Sequence, residues 1–156
     1  MDFKTALNKA SSLCSRQEQC CFDIRKKLQK WNVLPDDQEK ILDLLVQEKF
    51  IDESRFATSY VRDKFRFNNW GREKIRWQLK QKGISNENID HALAQIDEDE
   101  YKKTLSSLLK KKKEQLKNTE FNKVKAALIR NAVSKGFEMD IIFPIVEQLL
   151  LKNQKN

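Results

Sequence analysis

The sequence predicts an all-α protein, an array of three tandem three-helix repeats, and three observations carry that prediction. Apolar residues recur at steps of three and four through most of the chain. Charged residues make up 35% of it, against only 3 Gly and 2 Pro, a composition that suits helices better than strands or loops. Finally, the chain resembles itself at offsets of 51 and then 53 residues.

The elements follow in order. Phe3, Leu7, Ala10 and Leu13 mark a first amphipathic helix beginning near Asp2. Ser15, with Glu18 three residues on, reads as a capping box that ends this helix and starts the next. The second helix carries Cys21, Ile24 and Leu28 on one side, with Arg25, Lys26 and Lys27 around them, and runs out at Trp31-Asn32. Pro35 opens a third, with Asp36, Asp37 and Glu39 where negative charge suits the helix dipole, and with Ile41, Leu42 and Leu45 as its buried stripe.

In the fourth helix Phe56, Ala57, Tyr60, Val61 and Phe65 share one side as core residues, leaving Arg62 and Arg66 to water. Lys64 falls within the apolar stripe: either its stem packs there while its ammonium reaches out, or the helix is already ending. After Asn68-Asn69 and Gly71 a fifth helix starts at about Arg72, aligns Ile75, Leu79 and the stem of Lys82, and closes at Gly83 as its C′ residue. Further on, Tyr101 to Lys117 reads as a helix with Leu105, Leu108 and Leu109 inward, and Thr119 as a cap for the helix through Val124 and Leu128. Pro144 suits the first turn of a last helix starting near Asp140, whereas the repeat would start that helix nearer Glu138.

The repeat sets these elements in register. A shift of 51 lays Ile24, Leu28, Val33, Leu42 and Leu45 on Ile75, Leu79, Ile84, Leu93 and Ile96. A shift of 53 lays Ile75, Gly83, Ile84, Ile89 and Leu93 on Leu128, Gly136, Phe137, Ile142 and Val146. The boundaries fall at residues 1–52, 53–100 and 101–156. A unit of this size has a marginal core alone, and stacked neighbours would bury the second face of each helix.

Composition also bounds function. The 31 Lys and Arg against 23 Asp and Glu give a formal charge of +8, which favours a polyanionic or acidic partner. Cys14, Cys20 and Cys21 have no CxxC spacing, and the single His91 completes no recognised zinc pattern with them, so buried or idle thiols in a reducing cytoplasm are expected. There is no signal-peptide pattern, and no apolar run approaches the roughly 20 residues of a membrane span. No glycine-rich phosphate loop or nucleophile–base pair is visible, so neither an enzyme nor a cofactor protein is expected. Asp36-Asp37 and the run from Asp97 to Glu100 read as helix ends before they read as metal ligands.

The densest mixture of cations and aromatics runs from Phe50 to Leu79, and between Arg55 and Lys82 nine Lys or Arg face two acids. Its candidates for binding a partner or nucleic acid are Arg62, Lys64, Arg66, Arg72, Lys74, Arg76, Trp77 and Lys80. Trp77 projects away from the Ile75–Leu79 stripe, and either stacks on a base or fills a partner's pocket, or packs on the next unit. Lys110, Lys111, Lys112 and Lys113 make the longest cationic run, which is either a solvated helix circumference or a phosphate-attracting patch.

Three local patterns resemble one family. Asp23-Ile24-Arg25-Lys26-Lys27-Leu28, then Phe50-Ile51-Asp52-Glu53-Ser54-Arg55-Phe56-Ala57 with Tyr60-Val61-Arg62, then Ile75-Arg76, Leu79 and Lys82-Gly83-Ile84 resemble the RecX regulatory proteins of bacteria, in that order. After Tyr101 only Lys135-Gly136-Phe137 and Ile141-Ile142 continue the likeness, and Gly71-Arg72 stands where that family would have Gly-Pro. The resemblance implies an elongated array of three-helix units, a cytoplasmic monomer that binds the RecA filament assembled on single-stranded DNA. It also implies restraint of RecA's strand exchange, ATP hydrolysis and coprotease action. A general single-stranded DNA binder and a helical interaction scaffold are the alternatives that the residues alone leave open.

Overall fold

The computed structural model describes residues 1–116 and 120–154. Among them run nine α-helices: α1 (Phe3–Arg16), α2 (Cys21–Lys30), α3 (Pro35–Gln47), α4 (Glu53–Asn68), α5 (Arg72–Gln81), α6 (Asn86–Leu93), α7 (Glu98–Gln115), α8 (Phe121–Ser134) and α9 (Met139–Gln154). They form repeated three-helix units whose register is written in the backbone. Asn32, Gly83 and Gly136 all adopt positive φ, at 58°, 75° and 97°. After each, the next N–H reaches back to close the preceding helix: Val33 to the Leu28 carbonyl, Ile84 to Leu79 and Phe137 to Ala132. This is the Schellman closure, repeated at the two offsets read from the sequence.

By packing, the chain forms two compact units, one of residues 1–60 with 79–92 and one of residues 61–78 with 93 onward. The three helices of the middle repeat are thereby shared, since α4 begins in the first unit and ends in the second.

In the first unit α1, α2 and α3 pack on one another around Ala6, Ala10, Ile24, Leu28, Ile41, Leu42 and Leu45. The Asp2 carboxylate caps α1 by accepting from the Thr5 N–H at 2.8 Å, which with the Thr5 side chain holds its pKa below the usual value. The capping box expected at Ser15 does not form. Ser15 lies inside α1, its hydroxyl donating to the Ser11 carbonyl at 3.1 Å, and α2 starts later, with Cys20 as a cap lacking any side-chain bond. Glu18 instead receives the Arg55 guanidinium at 3.0 Å. Arg25 meets Glu39 at 3.0 Å and Lys82 meets Asp23 at 2.8 Å, so several basic residues of this unit are neutralised within it.

Burial pushes the Cys20 thiol up to about 12 and the Cys21 thiol up to about 11. Both exceed the free-thiol value of 9.0, so on alkalinisation the unfolded chain ionises first. The stability these thiols contribute is complete below pH 9.0 and drains away as pH climbs towards 12. Urea midpoints should therefore fall above pH 9.0, with a shallower fall in Cys20→Ala; identical pH profiles for the two proteins would contradict it.

In the second unit α7, α8 and α9 pack on one another around Leu105, Leu109, Leu128, Ala132, Ile142 and Val146, all buried. The rings of Phe65, Tyr101 and Phe137 run in series, with centroids 5.8 and 5.0 Å apart. Asp97 caps α7 by accepting from the Glu100 N–H at 2.9 Å, and the acids after it fill the first turn, so the run from Asp97 to Glu100 is a helix start. The last helix begins where the repeat puts it: the Ile142 N–H donates to the Glu138 carbonyl at 2.9 Å. A start at Asp140 is thus overturned, and Pro144 sits inside α9, beyond its first turn. Lys117 and the cap expected at Thr119 lie outside the described residues.

Candidate nucleic-acid and partner interface

The site is built from the bottom of α4. Because Val61 and Phe65 point into the core, Arg62, Arg66 and Phe67 point out, and Phe67 stays 79% exposed. Arg62 lies 3.4 Å from the neighbouring Asp63 carboxylate. Lys64 is half-buried and α4 continues past it, so its stem packs while its ammonium reaches out to sit 5.0 Å from the Trp70 ring centroid. Lys74 places a second ammonium 4.6 Å from that same ring. Trp70 is held by its N–H bond to the Lys64 carbonyl at 3.1 Å, following Asn69 at positive φ. One indole thus gathers two cations through its quadrupole, beside an exposed phenyl ring.

The start of α5 fixes this cluster against the rest of the unit. The Gly71 N–H donates to the Lys135 carbonyl at 2.8 Å and the Glu73 N–H to the Gly136 carbonyl at 2.9 Å. Donors left over at the start of α5 therefore meet acceptors left over at the end of α8. Between them the Arg72 N–H donates to the Tyr101 hydroxyl at 2.9 Å, and that hydroxyl donates to Glu138.

Arg72 departs from the expected solvent-facing stripe of Arg72, Arg76 and Lys80. Its side chain is 18% exposed. The guanidinium lies 3.9 Å from the centroid of the Tyr101 ring, 2.7 Å from Glu138, and is paired with Glu98. Burial opposes its charge, but the hydrogen bond and charge of Glu138, with Tyr101 and Glu98, outweigh that and raise its pKa. Burial foremost, then the bond to Glu138, raises the Tyr101 phenol well above its ordinary value. Four-residue spacing could not foresee this, because the partners come from distant helices. Farther along α5, Arg76 is half-buried, Trp77 is 58% exposed, and the exposed Lys80 belongs to the first unit.

The four consecutive lysines of α7 diverge, as a 100° turn per residue requires. Lys111 joins Lys103, Glu100 and Asn69 around a depression of about 320 Å³ that lies along α7 beside the α4–α5 turn. Lys110 is exposed on the side towards α9. Lys112 is half-buried, and the Lys113 ammonium donates to the Leu149 carbonyl at 2.9 Å. The structure thus groups Lys64, Lys74 and Trp70 in one cluster, sets Lys111 beside Asn69 next to it, and withdraws Arg72 and Lys113. Trp70 was missed as a site residue; its signal was a Lys six residues before and another four after. Among the described residues no group of three or more His, Cys, Asp and Glu could hold a metal ion.

The family model described as RecX, second three-helix domain, matches residues 52–93. Regulatory protein RecX of Clostridium botulinum (strain Eklund 17B / Type B) is 33% identical over 129 residues, spanning 81% of this chain and 60% of the relative. That of Clostridium botulinum (strain Alaska E43 / Type E3) is 34% identical over 126 residues, spanning 78% and 58%. A crystal structure of regulatory protein RecX superposes with a TM-score of 0.85 at 26% identity, over 94% of this chain and 73% of that one. The chain belongs to the RecX family.

A second RecX structure, from Lactobacillus salivarius, shares the fold at a TM-score of 0.82 and 23% identity, covering 96% and 97% of the two chains. The chain spans only about three fifths of the length of the two Clostridium botulinum RecX proteins. The RecX model match falls on α4, α5 and α6, the stretch that carries Trp70 and its two lysines. No helix among the described residues is long and apolar enough to cross a membrane.

Proposed function

We propose that this RecX-family chain is a non-enzymatic regulator that binds RecA filaments on single-stranded DNA and restrains RecA's recombinase, ATPase and coprotease activities. The observation that carries this reading is the cluster of Lys64, Lys74 and Trp70 in the stretch matched by the RecX model. Lys111 and Lys103 at the adjoining depression outnumber Glu100 there and add to its positive charge, and Phe67 and Trp77 present exposed rings. Ammonium groups attract phosphates with a salt-dependent affinity, and aromatic faces stack on unpaired bases without regard to sequence. Arg62, Arg66, Arg76 and Lys80 supply further charge. No bond need be made or broken; preferential binding to one filament state shifts RecA towards it.

RecA's ATP hydrolysis on single-stranded DNA, measured while this protein is titrated in, tests the reading. Inhibition at well below one molecule per RecA protomer is expected. Inhibition only once the strand itself is saturated would leave a general single-stranded DNA binder, and no effect would end the proposal. For the site, Lys64→Gln with Lys74→Gln should reduce the log-affinity versus log-salt slope by about 1.4, the value for two single-strand phosphate contacts. Trp77→Ala should weaken binding by about 1–3 kcal/mol per stacked base while leaving helicity unchanged. An unaltered slope and affinity in these variants would place the interface elsewhere.

A further inference from the structure

The second unit carries another feature, on the side of α7 that faces α9. A groove of about 390 Å³ runs between the two helices. Its floor is aliphatic: Ile141 and Ile145 are half-buried and Leu149 is buried, while Pro144 is exposed. Lys102, Lys103 and Lys110, all exposed, stand along the α7 rim. One end is fixed by the Lys113 ammonium on the Leu149 carbonyl at 2.9 Å. Pro144 has no N–H, so the Asp140 carbonyl forgoes its usual helical donor at the groove's edge.

We propose that this groove is a docking site for an acidic segment of a partner protein, one that sets aliphatic side chains on the floor and carboxylates against the three lysines. Charge complementarity selects the occupant. A nucleic acid would bring phosphates to the lysines, but its bases would find no aromatic ring to stack on among the lining residues. An acidic amphipathic segment satisfies the aliphatic floor and the α7 rim: apolar anchors three or four residues apart reach Pro144 and Ile145, and their acidic neighbours meet Lys102 and Lys110, on the side away from Asp140. Gln148 and the Asp140 carbonyl remain to receive donors from that segment. This docking mode uses different residues from the Trp70 cluster, apart from Lys103 at their common border.

The test is selection of short random peptides displayed on phage against the full chain, with removal of those that bind the Lys102→Glu/Lys110→Glu variant. The expected consensus is acidic, with apolar residues three or four apart, and its synthetic peptide should bind the variant about tenfold more weakly. Hydrogen exchange of the wild-type chain with that peptide should show added protection in residues 101–116 and 139–151, a readout that stands even where the variant fails to fold. Absence of a consensus, a basic consensus, or protection confined to other helices would overturn the proposal. Displacement of the peptide by oligo(dT) would assign the groove to nucleic acid. Concentration-dependent self-association abolished in the variant would assign it to a second copy of the chain.

Discussion

Gly71→Val should unfold the second unit or cost it at least about 3 kcal/mol, the upper range for forcing extra atoms into a packed site. A Cβ on Gly71 would stand 2.4 Å from the carbonyl carbon and oxygen of Gly136 and 2.5 Å from the Phe137 nitrogen. These are backbone atoms, so no side-chain rotation relieves the clash. Separating the strands of backbone would break the bonds from Gly71 to Lys135 and from Glu73 to Gly136, leaving donors and acceptors unpaired in a buried place. Gly83 supplies the contrast, for a Cβ there meets nothing within 4 Å and only its φ of +75° resists substitution. Gly83→Asn should therefore be nearly neutral, since Asn32 already holds the equivalent position at a φ of 58°. Urea denaturation followed by circular dichroism measures both. Equal losses in the two variants would show that the close approach of backbone at Gly71 does not set its cost.

Arg72→Glu should destabilise the chain by about 3 kcal/mol, the lower end of the cost of breaking a buried ion pair. The discount reflects partial screening, as Glu98 is 58% exposed although Arg72 and Glu138 are 18% and 21% exposed. The substitution sets a third carboxylate beside Glu98 and Glu138 and removes the cation from the Tyr101 ring. A double-mutant cycle of Arg72→Met and Glu138→Met isolates the pair: the double variant should lose less than the sum of the singles. Strict additivity would mean the guanidinium works through packing alone. Weakened DNA binding by Arg72→Glu would then be read as misplacement of Lys74 and Trp70, because Arg72 holds the start of α5 that positions them.

Much of the fold was legible because helical periodicity is a local property. Ile24, Leu28, Ile75 and Leu79 announced their buried faces, and Pro35 and Gly83 announced a helix start and a helix end. Ser15 and Glu18 misled for a related reason: the spacing of a capping box also occurs where a serine simply bonds back into its own helix. The basic stretch was legible as composition, whereas the fate of each charge was not. Arg72 and Arg66 look alike in sequence, yet Arg72 is drawn in by Glu98 and Glu138 while Arg66 stays exposed.

The sequence by itself determined the amphipathic helices, since each depends on residues within a few turns of one another, and also their repeat register and a surplus of positive charge, which are read by comparing and counting residues without any packing. Only the tertiary structure decided which cations are spent inside the protein and that Gly71 must remain a glycine. Those outcomes depend on atoms that lie up to 66 residues apart along the chain, as Arg72 and Glu138 do, and meet only when separate helices pack.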